Sequence, residues 1–328
     1  MRVELNVATA GGYIRTRGYE PKEIVELSGG VSNNVLRIST DNQCFIVKQS
    51  LPRLRVQMEW FSDPSRIFRE SGALKWLSGR LPEGAVPRVL FEDPEQFAFA
   101  MTSAPDGART WKSHLLEGET DSELAVEAGR LQASMAASTW NDANALAEFG
   151  DRRFFHELRL DPYYRVTAGR HPDLARHIGA VIEATESRQV CLVHGDWSPK
   201  NFLVSPTPGP SRLMAIDFEV IHYGDPSFDT AFLLNHLLLK SFHRPSSAPA
   251  YRAMGRCYFS AVTQGLPEQP CWFEPAVMQH LGCLLLARID GKSPVEYLTD
   301  EGVRQSVRDL ARSIIVDCPR RVGDVFVE

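Results

Sequence analysis

The run Val193-His-Gly-Asp-Trp-Ser-Pro-Lys-Asn-Phe-Leu-Val204, followed by Ala215-Ile-Asp-Phe-Glu219, constrains this chain more than any other feature. Short apolar strands are expected at residues 190–193, 201–204 and 213–216, with polar residues at their ends. Between the last two lie Pro206, Pro208 and Pro210 around Gly209. A turn centred near Gly209 would pair the strands antiparallel and set Asn201 opposite Asp217. An amide oxygen and a carboxylate converging there suit magnesium, which takes hard oxygen ligands and keeps several waters. Asp196, in the loop before, is left to face an attacking hydroxyl. Phosphoryl transfer asks for little else from a protein. A lone His-Gly-Asp is weak evidence, but the Asn five residues on and an Asp-x-Glu after one strand make incidental polar ends an improbable reading.

The N-terminal part reads differently. Strands are expected at residues 23–27, 35–38 and 44–48, then at 87–91 and 97–101, with a helix over 64–77 that starts from Asp63 and Pro64. Another helix is expected over residues 4–16. Glu70 falls on the apolar stripe of Ile67, Leu74 and Leu77, where a carboxylate is costly without a partner. Lys48, ending an apolar strand, is the natural partner. The loop of residues 28–34 holds Gly29 and Gly30 before Ser32 and Asn33. Backbone amides in such a loop can cradle phosphates.

Residues 102–110, with Pro105-Asp106-Gly107, read as a linker. Beyond it the chain is expected to be helical over 122–135, 174–186, 228–239, 249–263, 275–286 and 302–316. This gives an α+β chain: a nucleotide-binding sheet over residues 1–103 and a larger helical part over 104–328. The cleft between two such units commonly receives a ligand.

Composition narrows the partners. Hydrophobic residues make up 43% of 328, enough for a large core, and the net charge of −5 offers no basic excess for a nucleic-acid backbone. The six cysteines, Cys44, Cys191, Cys257, Cys271, Cys283 and Cys318, form no Cys-x-x-Cys pair. They read as buried free thiols of a cytoplasmic protein. The charged N-terminus does not fit a signal peptide, and the apolar run 231–239, broken by Asn235 and His236, is too short to cross a membrane.

Several residues have two readings. His194 is expected to fix the loop through backbone hydrogen bonds. Asp229 reads as a helix-start carboxylate, compatible with bracing that loop. Asn235 and His236 are expected to satisfy core hydrogen bonds. Arg53, Arg55 and Trp60 could cap a substrate or lie on the surface, and spacing does not decide. The same holds for Arg288 and Lys292, whose charge would suit a phosphate-bearing substrate. Trp197 and Lys200, in the loop beside Asp196, are further candidate substrate contacts.

Together these residues resemble the aminoglycoside phosphotransferase and choline kinase superfamily, with its bilobal protein-kinase-like fold. The resemblance runs in order through Gly29-Gly30-Val31-Ser32-Asn33, Phe45-Ile46-Val47-Lys48, Glu70, His194-Gly-Asp196, Asn201, Asp217-Phe-Glu219 and Asp229. It implies ATP and Mg2+, a small hydroxyl-bearing acceptor, Lys48 on the phosphates, Asp196 as base, and Asn201 with Asp217 on the metal. It also implies an adenine contact through backbone groups around Met101 and Ser103. Local motifs are most similar to the methylthioribose kinase branch: Val47 to Val56, Glu59-Trp60, and an Asp-x-Glu that would bring Glu219 to a metal. The catalytic loop Trp197-Ser-Pro-Lys-Asn201 departs from that branch, and of its paired C-terminal arginines only Arg288 appears. An aminoglycoside is the rival acceptor. A protein kinase is disfavoured, because Gly195 replaces the arginine that reads a phosphorylated loop and no Ala-Pro-Glu follows Asp217. A silent nucleotide-binding module ranks last, since Lys48, Asp196 and Asp217 are all present.

Overall fold

The fold is that of a computed structural model, described for residues 3–27, 32–53, 61–317, 319 and 321–327. Five strands form one antiparallel sheet: β1 (Glu23–Glu26), β2 (Asn33–Ser39), β3 (Cys44–Ser50), β4 (Val89–Asp93) and β5 (Ala98–Thr102), in the order β1-β2-β3-β5-β4. Strand alternation gives the sheet two faces. Leu36, Ile38, Phe45, Val47, Ala98 and Ala100 pack on Ile14 of α1 (Ala10–Arg15). Ile46, Phe99 and Met101 point the other way, onto Ile67, Leu74 and Leu77 of α2 (Arg66–Leu77). Lys48 shares the parity of Ile46, so it points inward too, opposite Phe99 in the register.

Two helices begin later than expected. The first covers only Ala10–Arg15, because residues 3–9 are engaged elsewhere. Leu5 donates its N–H to Gln49 Oε1 at 2.7 Å, and Asn6 Oδ1 accepts from Ala8 and Thr9. Asp63 does cap its turn, accepting from Ser65 N at 2.9 Å. The next three N–H groups reach back only three residues, so regular α2 starts at Arg66.

The rest of the chain is mainly helical: α3 (Trp111–Glu117), α4 (Ser122–Ala137), α5 (Ala143–Phe149), α6 (Arg153–Phe155), α7 (Val166–Arg170), α8 (Ala175–Ser187), α9 (Pro226–His243), α10 (Ala248–Gly265), α11 (Phe273–Asp290) and α12 (Glu301–Asp317). The six helices expected here are present as α4 and α8 to α12. Helices α3 and α5 and residues 153–170 were not expected, for want of a helical period in the sequence. In that last segment His156–Arg165 winds in wide π turns around Pro162, which cannot donate, and joins α6 to α7. Helix α9 is the central rod, buried along nearly its whole length against α10, α11 and α12. No helix among the described residues is long and apolar enough to cross a membrane.

Two small sheets hold the polar loops of the C-terminal part. Strand β6 (Arg109–Thr110) joins the hairpin β8 (Phe202–Val204) and β9 (Leu213–Ala215), so the end of the supposed linker is tied to it. Strand β7 (Cys191–Val193) pairs with β10 (His222–Gly224). The hairpin register differs from expectation by one residue. Phe202 faces Ala215, and Ile216 N–H donates to Asn201 O at 3.0 Å, so Asn201 opposes Ile216 and not Asp217. The turn is centred just before Gly209, and Asp217 leaves the ladder with φ +71°. Of the described cysteines, Cys191 and Cys283 are buried, Cys44 and Cys257 are half-buried and Cys271 is exposed; Cys318 lies outside the described residues.

Candidate active site

Strand β3 and helix α2 bring the first pair together. Lys48 Nζ donates to Glu70 at 2.6 and 2.9 Å, and both side chains are buried. The same ammonium donates to Asp217 Oδ1 at 2.8 Å. Burial alone would lower Lys48, but Asp217 and Glu70 outweigh it and hold the ammonium well above its ordinary value. Burial pushes Asp217 up, and Lys48 with Lys200 more than reverses that, holding it well below the usual carboxylate range. Glu70 is pushed up to about 7 by burial, against the pull of Lys48. The site thus holds a charged lysine and an ionised aspartate in contact.

Glu219 does something the sequence did not suggest. Its Oε1 accepts from Ser32 Oγ at 2.9 Å, and its Oε2 from Asn33 Nδ2 and Arg66 Nε, both at 3.2 Å. Both oxygens are engaged, so in this arrangement Glu219 anchors the strand that follows the glycine loop. Arg66 is fully buried and also donates to the carbonyls of Ser32, Leu51, Ser62 and Asp63. A cation at the start of an apolar helix face could have signalled it by the reasoning that found Glu70. Gly29, Gly30, Arg55 and Trp60 lie outside the described residues. Met101 lies inside the sheet between β3 and β4, and Ser103 Oγ donates to Cys44 O at 3.2 Å at the sheet's end.

The loop after β7 carries Asp196. Asp229, in the first turn of α9, accepts the N–H groups of His194 (2.7 Å) and Gly195 (2.9 Å). Burial pushes Asp229 up to about 7. His194 Nδ1 accepts from Asp196 N–H at 3.1 Å, and its Nε2 lies 3.1 Å from Ile216 O, which fixes the Nε2–H tautomer. Burial lowers His194 to about 4, so it is a neutral brace. Gly195 turns the chain at φ +77°, and a Cβ there would stand 2.9 Å from Val220 O. Only glycine fits that turn.

Asp196 is held by two cations. Arg159 Nη2 lies 2.9 Å and Lys200 Nζ 2.8 Å from Oδ2. Burial would raise Asp196, but Arg159 and Lys200 hold it below the usual carboxylate range. Arg159 also donates to Gly195 O at 2.6 Å. Sequence reading missed Arg159 because the π-wound segment has no helical period, although Phe155, Leu158 and Tyr163 form an apolar stripe around it. Trp197 is a correction: it is 1% exposed and packs edge-on against His194 and Phe202, so it belongs to the core and not to a substrate wall. Arg288 donates to Tyr163 Oη at 3.2 Å, and the Arg159 guanidinium stands 5.8 Å from the same ring. Asn235 is a second correction, since neither amide atom has a partner among the described residues. His236 packs its ring on Phe232.

The residues present fit a magnesium ion. Asn201 Nδ2 donates to Asp196 O at 2.9 Å, which leaves its Oδ1 without a donor among the described residues. Asp217 spends Oδ1 on Lys48, and its Oδ2 has no hydrogen-bond partner among the described residues. No cage of three or more His, Cys, Asp or Glu exists among the described residues. One carboxylate and one amide oxygen, completed by phosphates and water, is a usual magnesium set.

Residues 23–268 match the family described as phosphotransferase enzyme family. The chain belongs to that family. Solved structures agree on the fold of this phosphotransferase. A microcompartment-associated aminopropanol kinase aligns over 97% of this chain and 100% of its own, with 15% identity and a TM-score of 0.61. The amicoumacin kinase hAmiN, solved with AMP-PNP, Ca2+ and Ami, aligns over 96% of each chain with 12% identity and a TM-score of 0.58. The spectinomycin phosphotransferase APH(9)-Ia, in complex with ADP and spectinomycin, aligns over 99% and 98% with 9% identity and a TM-score of 0.54. At these identities the likeness is one of fold. No curated protein is significantly similar in sequence.

Proposed function

We propose that this phosphotransferase moves the γ-phosphoryl group of ATP to a hydroxyl of a small molecule of the sugar or polyol kind. One observation carries the reading: Lys48 is bonded to both Glu70 and Asp217, while Asp196 is held apart by its own cations. The first cluster suits a triphosphate, and the second suits an acceptor. That hAmiN was solved with AMP-PNP supports a nucleoside triphosphate as donor.

Each residue has a distinct task in this reaction. Lys48, fixed by Glu70, neutralises phosphate charge. Asn201 and Asp217 would hold magnesium, which when bound neutralises charge developing on the phosphate oxygens. Asp196 orients the acceptor hydroxyl. Held ionised and acidic by Arg159 and Lys200, it is a weak base in the ground state and takes the proton late. The bond from the γ-phosphorus to the ADP oxygen breaks as the bond to the acceptor oxygen forms. Glu219, Ser32, Asn33 and Arg66 tie the strand after the glycine loop to the residues around Asp217.

The deciding experiment is an ADP-release screen with methylthioribose, other free sugars and polyols, amino alcohols and aminoglycosides. The expected outcome is acceptor-dependent turnover that falls about 10²- to 10⁴-fold in Asp196→Asn, with little change in acceptor binding. Turnover at the wild-type rate in that variant would sink the reading. The aminoglycoside alternative loses support from Arg159 and Lys200 beside Asp196, since a polycation would approach like charge.

A further inference from the structure

Beyond Asp196 a chain of contacts runs along one face of α9. Asp229, Phe232, His236 and Lys240 recur at helical spacing, so they share that face. Phe232 meets Tyr163 (ring centroids 5.8 Å) and the Arg159 guanidinium (5.9 Å). His236 packs on Phe232, and Lys240 Nζ lies 5.2 Å from the Tyr297 ring. Arg288 reaches in from α11. Its Cζ is 5.9 Å from the Tyr163 ring, and Arg159 stands 5.8 Å from the same ring. These packed side chains link the surroundings of Asp196 to Arg288 and Lys240.

The charges there do not balance. Asp196 already holds two cations, and Lys112 is paired with Glu296. Arg288 Nη1 donates to Tyr163 Oη and to Ser293, and Lys240 Nζ reaches His236 O at 3.5 Å; Glu296 also acts on both cations, but neither has a carboxylate in contact among the described residues. Arg288 Nε and Tyr297 Oη are buried without a hydrogen-bond partner among them. Lys240 is only 1% exposed, and burial together with Lys112 and Arg288 pushes its ammonium down to about 7. A buried ammonium without a carboxylate beside it is costly, and an incoming anion relieves that cost. His236 is kept neutral by burial and by Lys240 and Arg288.

We propose that the acceptor carries an acidic group, a carboxylate or a phosphate, received by Arg288 and Lys240 beside Tyr163 while its hydroxyl meets Asp196. This rests on the phosphotransferase reading of the same site and sets its substrate class: a sugar acid or a sugar phosphate, not a neutral sugar such as methylthioribose and not an aminoglycoside. Guanidinium and ammonium groups discriminate by attraction to the acid and repulsion of the amine.

The test uses matched acceptors: aldonic acids, sugar phosphates, the corresponding alditols, and amino sugars. ADP release is expected with the acids or the phosphates, and which of the two responds identifies the group. Arg288→Gln and Lys240→Met should each raise the KM for that acceptor about ten- to hundredfold, with kcat and Mg-ATP affinity nearly unchanged. Preference for an alditol or an amino sugar, or an unchanged KM in both variants, overturns the inference. If no acceptor releases ADP, inorganic phosphate titrated calorimetrically into nucleotide-free protein decides. Binding kept in Lys48→Met and lost in Arg288→Gln and Lys240→Met supports it. Binding lost only in Lys48→Met, or absent from the wild type, overturns it. Failure of the wild type to bind Mg-ATP would sink the kinase reading separately, because the phosphate titration needs no nucleotide.

Discussion

Lys48→Met offers a sharp test of the buried charge cluster. The substitution keeps most of the stem but removes the ammonium bonded to both Glu70 and Asp217. Breaking one side of a buried ion pair costs ~3–5 kcal/mol when the remaining charge stays ionised. Glu70 offers a partial escape. It is already pushed up to about 7, and without the ammonium it rises further. A carboxyl whose folded pKa exceeds its unfolded value, here 4.5, stabilises the fold fully at low pH. That contribution is lost as pH climbs toward the folded pKa. In the wild type the loss is complete a little above pH 7. In the variant it continues upward at as much as ~1.4 kcal/mol per pH unit. The deficit relative to wild type should therefore be smallest near pH 6 and grow between pH 7 and 9. Urea unfolding followed by tryptophan fluorescence at four pH values measures it. A deficit that is flat with pH, or that stays under ~1 kcal/mol at pH 9, would show that the three side chains do not form one coupled unit.

Other outcomes follow from the loop around Asp196. Gly195→Ala meets both a positive φ and the Val220 carbonyl, and should cost several kcal/mol, about as much as a large core defect, seen as a lowered melting midpoint. Asp229→Asn turns an amide N–H toward the N–H of His194 or Gly195 and should cost ~1–3 kcal/mol near neutral pH. Asp229 has a folded pKa of about 7 against an ordinary 3.8, so it contributes a decline in wild-type stability between pH 4 and 7. The Asn variant should lose that contribution, and an unchanged slope would count against the assignment.

Much of this was legible in the sequence because single residues broke a pattern. Glu70 on an apolar stripe demanded a cation, and Lys48 meets it. The sheet strands were visible because apolar alternation and turn residues agree along residues 23–102. The hairpin register was not, since three prolines around Gly209 permit neighbouring turn centres, and a slip of one residue moves Asn201 from Asp217 to Ile216. Arg159 escaped because π turns around Pro162 erase the helical period on which sequence reading depends. Glu219 was placed near a metal by the Asp-x-Glu it shares with the methylthioribose kinase branch. Spacing carries no information about Ser32 and Arg66, whose donors reach it from more than 150 residues away. Lys240 lies one residue past the helix expected over 228–239, and only the three-dimensional arrangement reveals a buried ammonium with no carboxylate in contact among the described residues.

The central claim is a division of labour between two aspartates, with Asp217 on the metal and nucleotide and Asp196 on the acceptor. Calorimetric titration of Mg-ATP into the wild type, Asp217→Ala and Asp196→Asn tests it directly. The account predicts magnesium-dependent binding in the wild type, its loss in Asp217→Ala, and near wild-type affinity in Asp196→Asn. Equal loss of affinity in the two variants, or no binding to the wild-type protein, would contradict it.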